Sequence, residues 1–191
     1  MDRFPHATSP PAQYRHNCFL SYTTREEEVR SVKPFIDSYR NELEREWRFR
    51  AFLPDVSIYY DGWRLPSGHK PNQWLEEQLK EAIWGSAFLV AFVSPGYVTS
   101  EWCNWELDVA HEEHFFRRGL PAHGASCLPI VWKGSPGDSL WHPFIANRAH
   151  VDIRRELLLG SRISRDWSEA IRKCVSATLD VARSWYPNMF V

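Results

Sequence analysis

Between residues 16 and 185, short apolar runs alternate with longer stretches in which apolar positions recur every third or fourth residue. His16-Asn17-Cys18-Phe19-Leu20-Ser21-Tyr22 reads as a first strand, ending in the polar turn Thr23-Thr24-Arg25. A charged stretch, Glu26-Glu27-Glu28, leads to Pro34, which fits the first turn of a helix better than its interior. Beyond it Phe35, Tyr39, Leu43 and Trp47 repeat every fourth residue and predict one buried stripe. Val56-Ser57-Ile58-Tyr59-Tyr60 is a β-branched and aromatic second strand. The polar segment Asp61 to Asn72 separates it from a helix starting near Gln73, with Leu75, Leu79, Ala82 and Ile83 as its buried face. The unbroken run Ala87-Phe88-Leu89-Val90-Ala91-Phe92-Val93 predicts a central buried strand. Cys127 to Trp132 is a fourth strand despite Pro129, and Ala149 to Ile153 a short fifth. The last helix starts at Asp166, with Glu169 completing a capping-box pattern. Its apolar stripe is Trp167, Ile171, Cys174, Val175, Thr178, Ala182 and Trp185.

Strands alternating with helices imply right-handed crossovers and a parallel sheet covered on both faces. Five strands favour a flavodoxin-like, three-layer α/β fold with strand order 2-1-3-4-5, and its functional loops should follow the first three strands. Residues 1–14, with Pro5, Pro10 and Pro11, read as a flexible arm, and residues 15–191 as a single domain without internal repeats.

The net charge of -1 argues against a dominant nucleic-acid or anionic-membrane surface. No stretch has the length of a membrane span, and the first residues lack the apolar core of a signal peptide. The four cysteines, Cys18, Cys103, Cys127 and Cys174, have no C-x-x-C spacing, which points to reduced thiols in a cytoplasmic protein. Ten tryptophans is a high count, and Trp63, Trp74, Trp102 and Trp105 fall around the segment richest in candidate chemistry.

That segment runs from Ser94 to Glu106. It reads as a Ser-Pro-Gly turn after the central strand, then a helix capped by Thr99 or Ser100 that sets Trp102 and Glu106 one turn apart on one face. The spacing alone also fits a solvated glutamate near a helix start. Its place at the carboxyl end of a parallel strand puts the carboxylate where open α/β sheets bind ligands. The Asp61–Asn72 loop is either a solvated connection or part of the same site, Arg64 pairing a phosphate and Trp63 stacking on a base or nicotinamide. His111-Glu112-Glu113-His114 spaces its histidines i, i+3, which suits a solvated helix face and not a zinc-protease helix. There is no G-x-S-x-G elbow and no Walker or dinucleotide glycine fingerprint. A phospho-receiver would need acidic residues where Ser21-Tyr22 stand.

At three blocks the chain resembles the Toll/interleukin-1 receptor (TIR) domain family, especially its bacterial members: Cys18 to Tyr22, Tyr60 to Gly68, and Ser94-Pro95-Gly96 through Trp102-Cys103-Asn104-Trp105-Glu106-Leu107. The resemblance, with the helix patterns, covers about residues 16–185. It implies cleavage of NAD, with Glu106 as the essential carboxylate and Trp102 as the aromatic of the same motif. Asp61 to Asn72 matches the loop that shapes the pocket and the contacts between assembled protomers, so the resemblance also implies TIR–TIR self-association. On this reading Tyr22, Thr23, Arg25, Asp61, Trp63 and Arg64 join Trp102 in binding substrate, with no metal and no cofactor beyond NAD as substrate. Some catalytic members carry basic residues directly after the first-strand tyrosine; here Thr23-Thr24 stand there and Arg25 follows. A TIR domain with no sensor or effector in the same chain resembles the TIR protein of Thoeris-type antiphage systems, whose separate effector protein responds to a nucleotide product.

The implied chemistry is self-consistent. Ordinary glycosidases use two carboxylates because the leaving oxygen must be protonated. The leaving group of NAD is a cationic pyridinium that departs as neutral nicotinamide, so one carboxylate can orient the ribose hydroxyls and stabilise oxocarbenium-like charge. Capture by water gives ADP-ribose; capture by a group of the same nucleotide gives a cyclic isomer. The competing readings are nucleoside deoxyribosyl transfer, also glutamate-based on a related fold, and a non-catalytic adaptor acting through TIR–TIR contacts.

Overall fold

The computed structural model describes residues 14–51, 56–60, 73–113, 127–134, 141–146, 148–159 and 165–185. The predicted arm, apart from Tyr14, lies outside them. In chain order the elements are β1 (His16–Tyr22), α1 (Glu26–Ala51), β2 (Ile58–Tyr60), α2 (Gln73–Trp84), β3 (Ser86–Val93), α3 (Pro95–Val98), α4 (Glu101–Glu112), β4 (Cys127–Val131), α5 (Pro143–Ala146), β5 (Val151–Asp152), α6 (Arg154–Leu159) and α7 (Arg165–Trp185). All strand pairs are parallel, and the sheet order is β2-β1-β3-β4-β5, the flavodoxin-like order that the alternation predicts. Every residue of β3 is buried, as an apolar strand with helices on both faces must be.

The period of two along the strands divides the core. Cys18, Leu20, Tyr22, Phe88, Val90 and Phe92 pack with residues of α1 and α7, and Phe19, Leu89, Ala91 and Val93 with residues of α2 and α4. Helix α1 packs on α7, and α2 on α4. The predicted stripe of α1 is fully buried, and Tyr39 shares a 2.7 Å hydrogen bond with Thr178 of α7. The buried faces predicted for α2 and α7 are also internal, Trp185 excepted, whose side chain lies outside the described residues.

Three local expectations need correction. Helix α1 begins at Glu26, so Pro34 sits inside it. A proline there lacks an N–H and costs about 3 kcal/mol. Burial of Val32, Phe35 and Ile36 on both sides of it outweighs that cost. Helix α7 already includes Arg165, so Asp166 lies in its first turn, favoured by the helix dipole, and is not the cap. The described part of helix α4 runs to Glu112, and the continuation to Arg118 that the sequence suggests lies outside the described residues. The short helices α3, α5 and α6 were not expected at all.

Pro129, against the usual rule, occupies a strand with neighbours on both sides. The N–H of Trp132 donates to Val93 of β3, so by alternation the nitrogen of Pro129 faces the β5 side. Strand β5 pairs only Ile130 and Val131, so no ladder bond is lost at Pro129.

All four cysteines are buried and free, and burial pushes every thiol up from 9.0, Cys127 to about 12. A group whose folded pKa is raised stabilises the fold fully below its unfolded pKa, and that contribution disappears as pH rises. Each thiol therefore removes about 1.4 kcal/mol of stability per pH unit above its unfolded pKa. Denaturation midpoints measured from about pH 8 to about pH 10.5 are expected to fall steadily once the pH passes about 9. A flat profile would refute this assignment. Among the described residues no helix is long and apolar enough to cross a membrane.

Candidate active site

The carboxyl ends of β1 and β3 lie side by side, Tyr22 in register with Phe92. Immediately beyond β3 the expected Ser-Pro-Gly turn is a one-turn helix, α3. Ser94 caps it in extended conformation, its Oγ accepting from the N–H of Tyr97 at 3.1 Å, and Pro95 stands at the first helical position, where its missing N–H is harmless. Thr99 closes α3, and Ser100 caps α4 by accepting from the Cys103 N–H at 3.3 Å. The Asn104 amide donates to the carbonyls of Val98 and Ser100, tying the two helices together.

Helix α4 turns Cys103, Glu106, Leu107 and Ala110 inward, and Glu106 is only 6 % exposed. A buried carboxylate is very costly unless it is hydrogen-bonded. Ser21, at the carboxyl end of β1 and 1 % exposed, donates its hydroxyl to Glu106 Oε2. Ser21 has one hydrogen to give, so the Tyr97 hydroxyl, 2.7 Å away, donates to Ser21. Burial, then the nearby Cys103 and Glu106, push the Tyr97 phenol well above 10.0, which keeps it protonated as this chain requires. Burial and then Glu106 likewise raise the Cys103 thiol. The result is a buried relay from Tyr97 through Ser21 to Glu106.

The other predicted site residues are only partly gathered around this carboxylate. Trp102 is half-buried and stacks on Trp105, with ring centroids 4.5 Å apart and planes at 15°. Tyr22 points to the opposite face of the sheet, as the neighbour of Ser21 must, and stacks on Tyr60 at 5.5 Å. The structure therefore does not bring its ring to Glu106. Thr23 is buried and accepts from the Arg25 N–H at 3.3 Å. Arg25 is exposed and donates to the Thr99 carbonyl at 3.2 Å, bridging the loop after β1 to the end of α3. Trp74 is an exposed residue at the start of α2. Asp61, Trp63 and Arg64 lie outside the described residues, as does His114; His111 packs against the ring of Phe144. Among the described residues no cluster of three His, Cys, Asp or Glu could hold a metal. A shallow depression of about 210 Å³, lined by Arg15, Glu81, Trp84, Gly85 and Glu113, opens elsewhere and shares no residue with the relay.

Sequence reading missed Ser21 and Tyr97 as partners of Glu106, and it missed Glu28. Ser21 could have been found: it shares the Phe19 face of a buried strand, where a hydroxyl must have a partner. Glu28 is 9 % exposed and accepts from the Ser94 hydroxyl and from the Gly96 N–H at 3.2 Å. Gly96 is glycine for that reason, since a Cβ there would lie 2.4 Å from a Glu28 oxygen. Gly96→Ala is expected to push the carboxylate off both donors and cost about 2 kcal/mol. Chemical denaturation of Gly96→Ala, Glu28→Ala and the double variant should show costs well short of additive.

Fold and site together define a three-layer parallel α/β domain with a buried glutamate at the carboxyl end of its sheet. The family described as TIR domain matches residues 19–175, and the chain belongs to that family. Among solved structures, a metazoan TIR-STING receptor from C. gigas, determined in complex with 2',3'-cGAMP, superposes with a TM-score of 0.52 at 15 % identity. The match covers 84 % of this chain but only 40 % of that receptor, and at this identity it establishes the fold alone. The TIR domains of the activated Roq1 resistosome, which directly recognises the pathogen effector XopQ, match at 20 % identity with a TM-score of 0.45, covering 88 % of this chain and 84 % of that one. No curated protein matches the chain.

Proposed function

We propose that this TIR domain cleaves the nicotinamide–ribose bond of NAD, releasing nicotinamide together with ADP-ribose or a cyclic ADP-ribose isomer. The observation that carries the reading is the buried carboxylate of Glu106, held by Ser21 where the first and third strands end. A charge fixed by protein dipoles in a water-poor site stabilises developing positive charge without having to reorganise. Because nicotinamide leaves uncharged, Glu106 needs no acid partner. Its role is to meet the ribose hydroxyls and the oxocarbenium-like carbon, with Trp102 and Trp105 as the adjacent aromatic surface. Arg25, at the same end of the sheet, is a described cation suited to the pyrophosphate. Asp61, Trp63 and Arg64 keep their proposed substrate-binding roles on the resemblance alone, as do self-association and a part in antiphage defence with a separate nucleotide-sensing effector.

One observation favours a second reading, a non-catalytic adaptor: Glu106 is almost fully closed in and already engaged by Ser21, as a structural carboxylate would be. The test is to incubate concentrated, assembled protein with NAD, alongside Glu106→Ala, and identify the products by mass spectrometry. Free nicotinamide that disappears in the variant supports the enzyme, and the accompanying nucleotide separates hydrolase from cyclase. No turnover in the assembled parent protein supports the adaptor.

A further inference from the structure

Glu28 is the second buried carboxylate at this end of the sheet, and the proposed chemistry does not use it. It extends from the first turns of α1 under α3, where it takes the Ser94 hydroxyl on one oxygen and the Gly96 N–H on the other. Lys133 lies 3.9 Å from the same oxygen that Gly96 reaches. Ser94 passes the connection on, since its Oγ accepts from the backbone N–H of Tyr97. Tyr97 then leads to the other carboxylate, its hydroxyl reaching Ser21 and Ser21 reaching Glu106. Two serine–carboxylate pairs thus bracket one fully buried tyrosine, one pair holding its backbone and the other its side chain. Gly134, just after β4, stands over the same turn. Gly134 has φ 88, a conformation open mainly to glycine, and a Cβ there would stand 3.2 Å from the ring of Pro95.

From this arrangement we infer that Glu28 is a positioning residue for Glu106. It fixes α3, α3 sets the height of Tyr97 over β1, and Tyr97 sets the rotamer of Ser21 that orients the reacting carboxylate. The inference rests on the NAD-cleaving reading of Glu106 but predicts a coupling that can be measured without turnover. Both Glu28 oxygens act as acceptors, so Glu28→Gln keeps volume but removes the charge and makes the Ser94 hydroxyl turn from donating to accepting. Ser94→Ala cuts the same connection while leaving the Glu28 charge in place.

The experiment compares the parent chain with Glu28→Gln, Ser94→Ala and the exposed control Glu76→Gln. It follows kcat and KM for NAD, and the side-chain carboxyl ¹³C resonance of Glu106, assigned by its loss in Glu106→Gln. Both relay variants are expected to lower kcat about tenfold with KM unchanged, because misplacement of a reacting group is felt in the transition state. Both should also move the Glu106 resonance and its titration, and the control should do neither. Folded Glu28→Gln and Ser94→Ala proteins with the parent's Glu106 signal and kcat would overturn the inference. If Glu28→Gln does not fold, Ser94→Ala decides alone. An assembled parent with no turnover refutes the NAD reading, and the ¹³C comparison then still decides whether Glu28 orients Glu106.

Discussion

Glu106→Gln is expected to slow nicotinamide release from NAD by at least about a hundredfold while leaving the fold intact. The substitution keeps the length and shape of the side chain and one oxygen able to accept from Ser21, so the Tyr97–Ser21 hydroxyls stay satisfied. What it removes is the negative charge, the feature that a positively polarised sugar carbon needs as the glycosidic bond breaks. The loss should therefore fall on kcat, with KM little changed. Steady-state assays with denaturation curves on the same preparations check both halves. Equal rates in parent and variant would show that the carboxylate serves packing and not chemistry.

The largest effect on stability is expected at Trp47→Ala, about 3–5 kcal/mol. Trp47 is fully buried near the end of α1 and lies over Phe88 of β3, with ring centroids 6.0 Å apart and planes at 22°. It anchors the far end of a 26-residue helix whose other end carries Glu28. Removing the indole leaves a void between helix and sheet that rigid strands cannot close. Domains of this kind have only about 5–15 kcal/mol in total, so the variant should melt about 10 °C lower or more, read by calorimetry or circular dichroism. A drop of a degree or two would mean that α1 can re-seat on the sheet.

Much of this architecture was legible in the chain. The central apolar run declares a buried strand, the α1 stripe shows in its four-residue repeat, and five strands alternating with helices favour the sheet order. The position of Glu106 beyond β3 followed from the same pattern. The remainder depended on contacts that local composition cannot carry. Glu28 is one of three consecutive glutamates, and one of the donors that satisfy it is a backbone N–H 68 positions away. Helices of four residues, such as α3 and α5, are too short to show a period. Pro34 argued for a helix start because propensity is local, while the burial that overrides it comes from α1 packing on the sheet and α7.

Pro129 has a consequence for how copies of this domain can meet. Strand β5 is two residues long, so among the described residues the first part of β4 has no strand beside it on that side. An uncovered strand normally invites pairing with a neighbour. Here the group that would have to answer an incoming carbonyl is a ring nitrogen without hydrogen. At this margin the ladder that a second molecule could extend is interrupted at Pro129.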